Sequence, residues 1–277
     1  MTKALVILSG GQDSTTTLFW AKQRFAEVHA ITFDYGQRHS IEIEAAKKVA
    51  ELAGVASHEI VSLPGILKST SPLTSDNELE RYADAKQMEE VIGNRVELTF
   101  VPMRNTFFFV VAMNRAVALG CRNLVTGICQ EDNANYPDCT EAFRSAFEDM
   151  ANTSLGITAT TEEFQILATL MYLSKAETVH MATQLPGCWQ ALSFSHTSYD
   201  GKYPPTDKNH SNVLRADGFE KAGLPDPLVV RAFRDGLMDL PATPNYESDL
   251  VLQTARILGE GDSAAQQAKE FAFKLEA

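Results

Sequence analysis

The feature that most constrains this chain is the segment Ser9-Gly10-Gly11-Gln12-Asp13-Ser14-Thr15. It follows the apolar run Leu5 to Leu8 and precedes helical spacing from Thr15 to Arg24. A buried strand that turns on glycines into a helix aims the first helical N–H groups at one spot. Adjacent glycines let the backbone turn sharply and approach a ligand closely. The positive helix end and successive amides suit a pyrophosphate. The Ser9, Ser14 and Thr15 hydroxyls are further expected donors. The segment lacks the Gly-Lys-Ser/Thr of a Walker loop, and it is not G-x-G-x-x-G. An acidic Asp13 beside a phosphate site makes chemical sense with Mg²⁺ bridging phosphate oxygens.

The rest of the chain alternates between strand-like and helix-like patterns. Strands are expected at Val28 to Phe33, His58 to Leu63, Val96 to Val101, Leu124 to Ile128 and Glu163 to Leu170. Helices are expected at Ile41 to Ala53, Leu79 to Val91, Thr106 to Leu119, Cys139 to Ala151 and Lys175 to Thr183. Alternation of this kind predicts an α/β fold, with a doubly wound, mainly parallel sheet. Ligands of such sheets bind beyond the carboxyl ends of the strands. Residues Pro186 to about Pro227, with Pro204-Pro205, Asp207, Asn209 and Asn212, read as an irregular lobe without a conventional core. Leu228 to Leu258 and Ser263 to Leu275 read as helical. The expected division is a nucleotide-binding α/β domain over 1–185 and a small irregular and helical C-terminal lobe over 186–277.

Composition excludes several classes. The 277 residues carry a formal net charge of −12, so no basic face for nucleic acid is expected. No apolar run reaches the roughly 18 residues of a membrane span. The N-terminal apolar run ends at Ser9, too short for a signal sequence, and a cytoplasmic protein is expected. Cys121, Cys129, Cys139 and Cys188 form no C-x-x-C pair, which argues against a disulfide framework and a thiolate zinc site.

The Ser9–Thr15 segment resembles the PP-loop of ATP pyrophosphatases, which split ATP into AMP and pyrophosphate and commonly adenylate a substrate. Further segments narrow the resemblance: Phe33-Asp34-Tyr35-Gly36-Gln37-Arg38-His39, Val101-Pro102-Met103-Arg104-Asn105, Gly127 with Glu131-Asp132, Tyr136-Pro137-Asp138-Cys139, and Leu173-Ser174-Lys175-Ala176-Glu177. In this order they resemble the 7-cyano-7-deazaguanine synthase family, QueC, from about residue 3 to residue 223. The resemblance implies a Rossmann-like sheet. It also implies an ATP-dependent C–N ligase that adenylates 7-carboxy-7-deazaguanine and captures ammonia, giving the amide and then the nitrile, in queuosine-type biosynthesis.

Under that reading Asp13, Arg104 and Lys175 are the expected catalytic residues. The nucleotide is expected on Ser9, Gly10, Gly11, Gln12, Asp13, Ser14, Thr15, Phe33 and Gly127. The deazapurine is expected on Tyr35, Gln37, Arg38, His39, Glu131, Tyr136 and Asp138. Arg104 and Lys175 would neutralise phosphate and carboxylate charge, and a carboxylate such as Asp138 or Glu131 suits a guanine-like donor edge. ATP and Mg²⁺ are the implied cofactors, and a homodimer is expected.

Two departures stand out. The family carries a zinc site of one cysteine followed by C-x-x-C-x-x-C, just before Leu-Arg. Here Leu214-Arg215 matches, but the four positions are Ser198, Thr206, Asn209 and Asn212, so zinc is not expected. The extension past about Gly223 is the expected substitute for the missing metal. Met103 stands where the family has glycine, beside Arg104. Such departures leave two other readings. One is a paralogue that couples the activated deazapurine to another amine, such as a protein partner, as a defence-system modification enzyme would. The other is a nucleotide-binding module without turnover.

Overall fold

The computed structural model describes residues 2–37, 41–130, 135–157 and 162–258. Five strands form one sheet: β1 (Lys3–Ile7), β2 (Glu27–Asp34), β3 (Ser57–Ser62), β4 (Asn123–Thr126) and β5 (Gln165–Ala168). Their order is β3-β2-β1-β4-β5, and every pairing is parallel. The chain winds outward from β1 through β2 to β3, then returns to the other side of β1 as β4. The switch point therefore lies between β1 and β4, where a crevice opens beyond the carboxyl ends. The expected α/β, Rossmann-like, doubly wound parallel sheet is observed.

Alternate residues of the central strands feed two cores, as the period of a strand requires. On one face Ala4, Val6, Val28, Ala30 and Val125 pack against α1 (Gln12–Lys22), α2 (Ile41–Ala53) and α6 (Lys175–Gln184). On the other, Leu5, Ile31, Leu124 and Ile166 meet Phe109, Ala112 and Ala116 and Phe147 and Ala151. Those residues come from α4 (Arg104–Ala118) and α5 (Glu141–Ser154), and a short helix α3 (Ala85–Ile92) precedes α4. No helix among the described residues is long and apolar enough to cross a membrane.

Three expectations are corrected. Val96 to Val101 is not a strand. Val96 and Leu98 face solvent, whereas Glu97 and Thr99 are buried. The reason is hydrogen bonding, part of it from a distant residue: the Glu97 carboxylate accepts from Thr99 N at 2.7 Å, from the Thr99 hydroxyl and from the Tyr136 hydroxyl at 3.1 Å. Satisfying a buried carboxylate overrides the apolar alternation.

The segment after residue 186 is not coreless. It forms α7 (Cys188–Leu192) and α8 (His210–Lys221), and Cys188, Trp189, Leu192 and Phe219 belong to the same core as β1 and α1. The helix α8 escapes notice in the sequence because it also buries polar residues, among them His210, Asn212 and Arg215.

Leu228 to Leu258 is two helices, α9 (Pro227–Arg234) and α10 (Ser248–Leu258). Gly236, at φ 72°, and the prolines of the connecting segment break the run. The expected helix at Ser263 to Leu275 lies outside the described residues.

Candidate active site

The loop between β1 and α1 is held by its own hydroxyls. The Ser14 hydroxyl bonds with the Ser9 hydroxyl at 3.0 Å and donates to Gly11 O at 3.2 Å. The Thr15 hydroxyl donates to Gly11 O at 2.8 Å, and Thr15 is fully buried. Thr15 therefore braces the turn and does not face a ligand. Gly11 is the N-cap of α1, and no side chain caps it. Gly10 sits at φ +89°, and a Cβ there would collide with the Glu42 carbonyl and Ala46 N of α2. Only glycine lets the loop turn this tightly against α2.

A cavity of about 670 Å³ opens over this loop at the switch point. Its wall brings together Ser9, Gly11, Gln12, Asp13, Ser14, Phe33, Tyr35, Gln37, Arg104, Gly127, Tyr136 and Lys175. Twelve residues singled out from six separated stretches of sequence thus converge on one space. Gly10, Thr15 and Asp138 stand behind the wall. Arg38, His39 and Glu131 lie outside the described residues.

At the end of the cavity formed by the loop after β1, Lys175 Nζ donates to Asp13 Oδ2 at 2.8 Å. Lys175 begins α6, whose N-terminus carries a reciprocal cap: Glu177 N donates to Ser174 Oγ, and Ser174 N donates to Glu177 Oε2. The stem of Lys175 lies against Gly218 of α8, where any side chain would overlap it. Helix α8 thereby helps set the position of a lysine on the loop after β1.

At the other end stands Arg104, the first residue of α4. Burial opposes its charge, but Tyr35, Tyr136, Tyr199 and Cys139 around it hold the guanidinium above its ordinary value. It stays a cation at every accessible pH. The residue before it, Met103, is the N-cap and has φ 65°, a left-handed conformation that suits glycine. The Met103 side chain is 63% exposed and takes no part in the cavity wall.

Asp138 is buried, and burial raises its carboxyl above the usual range against the pull of Arg104 and Asn105. It accepts from Asn105 N at 3.2 Å and so ties the start of α4 to the Pro137–Cys139 turn. Tyr136 is oriented by Thr99 at 2.6 Å and by Glu97. Phe33 stacks on Phe108 with centroids 4.3 Å apart.

Sequence reasoning assigned no place in the cavity to Glu42, Thr126, His196, Thr197, Tyr199, His210 or Arg215, which also line it. No spacing in the sequence marks them. They reach the cavity because α2 lies against the loop and because the segment before α8 folds back, its His196 N donating to Gly10 O at 2.8 Å.

Three of the four positions expected from the zinc site bond to protein groups. The Ser198 hydroxyl donates to the Asp207 carboxylate, and Asn209 Oδ1 accepts from Asn212 N at 3.2 Å and from the Ser211 hydroxyl at 2.9 Å. Thr206 is exposed. With no thiolate among the four, and with the Ser198 hydroxyl and Asn209 Oδ1 already hydrogen-bonded, the donor set does not fit zinc. Nearby, Arg215 makes a buried bidentate pair with Asp226 at 2.6 and 2.8 Å and donates to the Ser195 and Thr197 hydroxyls at 2.8 and 2.9 Å.

For Mg²⁺ the observation is different. No group of three or more His, Cys, Asp or Glu placed to hold a metal ion exists among the described residues. Mg²⁺ needs none, since it commonly takes one or two carboxylates together with substrate phosphates and waters. Asp13 on the phosphate loop fits that role.

Comparison with known proteins agrees with this geometry. Residues 3–223 match the family described as "Queuosine biosynthesis protein QueC". The "7-cyano-7-deazaguanine synthase" of Gloeobacter violaceus is 43% identical over 230 residues, covering 82% of this chain and 96% of that protein. Its counterpart in Chromobacterium violaceum is 46% identical over 231 residues, covering 83% of this chain and 94% of that protein. That of Laribacter hongkongensis is 43% identical over 228 residues, with 82% and 94% covered.

Proposed function

The chain belongs to the QueC family of queuosine biosynthesis proteins, and on that premise we propose that it is an ATP-dependent ligase that activates a 7-deazaguanine carboxylate. The carboxylate of 7-carboxy-7-deazaguanine attacks the α-phosphorus of ATP, pyrophosphate leaves, and an acyl adenylate forms. Ammonia then displaces AMP to give the amide. A second activation and loss of the oxygen give 7-cyano-7-deazaguanine.

The observation that carries this reading is the two-ended cavity. A phosphate loop with Lys175 lies at one end, and a permanent buried cation, Arg104, lies among tyrosines at the other. A carboxylate is a poor electrophile until its oxygen is made a leaving group. Lys175 and the loop amides offset charge on the departing pyrophosphate, and Arg104 receives the anionic carboxyl group. Tyr35, Tyr136 and Phe108 supply flat apolar walls for a bicyclic ring. Asp13 would hold Mg²⁺, which supplies charge neutralisation on the phosphates when bound.

The remodelled segment before α8 favours a second reading, in which another amine, including one on a protein, takes the place of ammonia. His196, Thr197, Ser198 and Tyr199 line the cavity from the lobe whose zinc positions are replaced. Incubation of the protein with labelled ATP and 7-carboxy-7-deazaguanine, with and without ammonium, separates the readings. Ammonium-dependent nitrile with AMP and pyrophosphate supports the first. Adenylate without amide or nitrile supports the second. Absence of AMP in both arms refutes catalysis of this kind.

A further inference from the structure

We infer that Glu42 is the proton acceptor for the incoming amine, an inference that rests on the adenylation reading above. Ammonia that adds to an acyl adenylate becomes a cationic nitrogen. Collapse to the amide requires that nitrogen to lose a proton while AMP departs. Two described carboxylates line the cavity, Asp13 and Glu42. Asp13 lies on the phosphate loop with Lys175 Nζ at 2.8 Å, so its negative charge is already engaged there. Glu42 stands in the first turn of α2, with its backbone carbonyl against Gly10 and its side chain in the cavity wall. It is therefore beside the loop that holds the phosphates and on the same wall as Arg104, the cation expected to hold the carboxyl group.

The other titratable and charged groups of the cavity wall are Asp13 from α1, Tyr35 after β2, Arg104 from α4, Cys129 after β4, Tyr136 and Cys139 at the turn before α5, Lys175 from α6, His196 and Tyr199 from the segment before α8, and His210 and Arg215 from α8. Burial pushes the Glu42 carboxyl up to about 7, against the opposing pull of Arg104. A base poised near neutrality combines a useful ionised fraction with real proton affinity.

In the step itself the ammonia lone pair forms the C–N bond at the acyl carbon. One N–H proton passes to a Glu42 oxygen. The bond between the acyl carbon and the AMP oxygen breaks, and its electron pair leaves with AMP. The amide and protonated Glu42 remain, and the proton is lost to solvent.

The test compares wild type, Glu42→Gln and Glu42→Asp in two assays. Substrate-dependent pyrophosphate exchange into ATP reports adenylation, which needs no amine. Single-turnover amide formation from preformed adenylate reports amination at saturating ammonium, corrected for the fraction present as NH₃. The expected result is an amination rate at least tenfold more impaired than exchange in Glu42→Gln, with partial rescue in Glu42→Asp. The wild-type amination rate should rise through about pH 7 and level off, and Glu42→Gln should lose that rise. Equal loss in both assays, or an unchanged pH profile in Glu42→Gln, overturns the inference and transfers the role to a histidine of the wall. No exchange in the wild type overturns the adenylation reading instead.

Discussion

Replacing Asp226 by alanine tests how α8 and the start of α9 are held together. Asp226 and Arg215 have side-chain exposures of only 5% and 3%, so the pair is desolvated. Removing the carboxylate strands a buried guanidinium, which costs about 3–5 kcal/mol. Asp226 is also the N-cap of α9, its Oδ1 accepting from Leu228 N at 2.9 Å. Loss of that cap adds about 1 kcal/mol. The expected destabilisation is therefore about 4–6 kcal/mol, a large part of the roughly 5–15 kcal/mol available to a folded domain. At roughly 2–4 °C per kcal/mol for a chain of this size, Tm should fall by about 10–20 °C.

Urea unfolding followed by far-UV circular dichroism measures the free energy, and calorimetry measures Tm. The double variant Arg215→Met with Asp226→Leu should recover most of the loss, because it removes both charges at once. A loss below about 1 kcal/mol for Asp226→Ala would refute the reasoning. It would mean that the pair is hydrated and that the two helices are held together elsewhere.

Asp13→Ala should lower turnover by roughly 10²-fold or more while the fold is retained; steady-state kinetics check this, and detection of ADP and phosphate as products would sink the assignment of the loop. Met103→Gly should stabilise the protein by about 1 kcal/mol in the same urea assay, because it relieves a left-handed non-glycine residue at the N-cap of α4. Chelation with EDTA should leave Tm unmoved, since Ser198, Asn209 and Asn212 bond to protein groups; stoichiometric zinc by elemental analysis of untagged protein would contradict this.

Much of the fold was legible from residue pattern. Apolar runs ending in glycine, helical spacing and their alternation are local properties, and they led to the parallel sheet and to the loop at its switch point. That Asp13, Arg104, Lys175, Tyr35 and Tyr136 belong to one site was legible for the same reason, since short motifs carry their residue types in order and all five line the cavity. Three matters were settled only by tertiary contacts. Val96 to Val101 alternates like a strand, but a buried Glu97 bonded to Thr99 and Tyr136 turns it into a loop. The polar segment around Ser198 to Asn212 lacks periodicity, yet it folds back onto Gly10 and walls the cavity. Asp226 lies beyond residues 3–223, the span matched to the family, and nothing near it in sequence announces a partner. Its partner, Arg215, is brought beside it where the N-cap of α9 meets α8. Sequence spacing encodes what neighbours along the chain must do, whereas the pairing of a buried charge depends on which distant surfaces close over it.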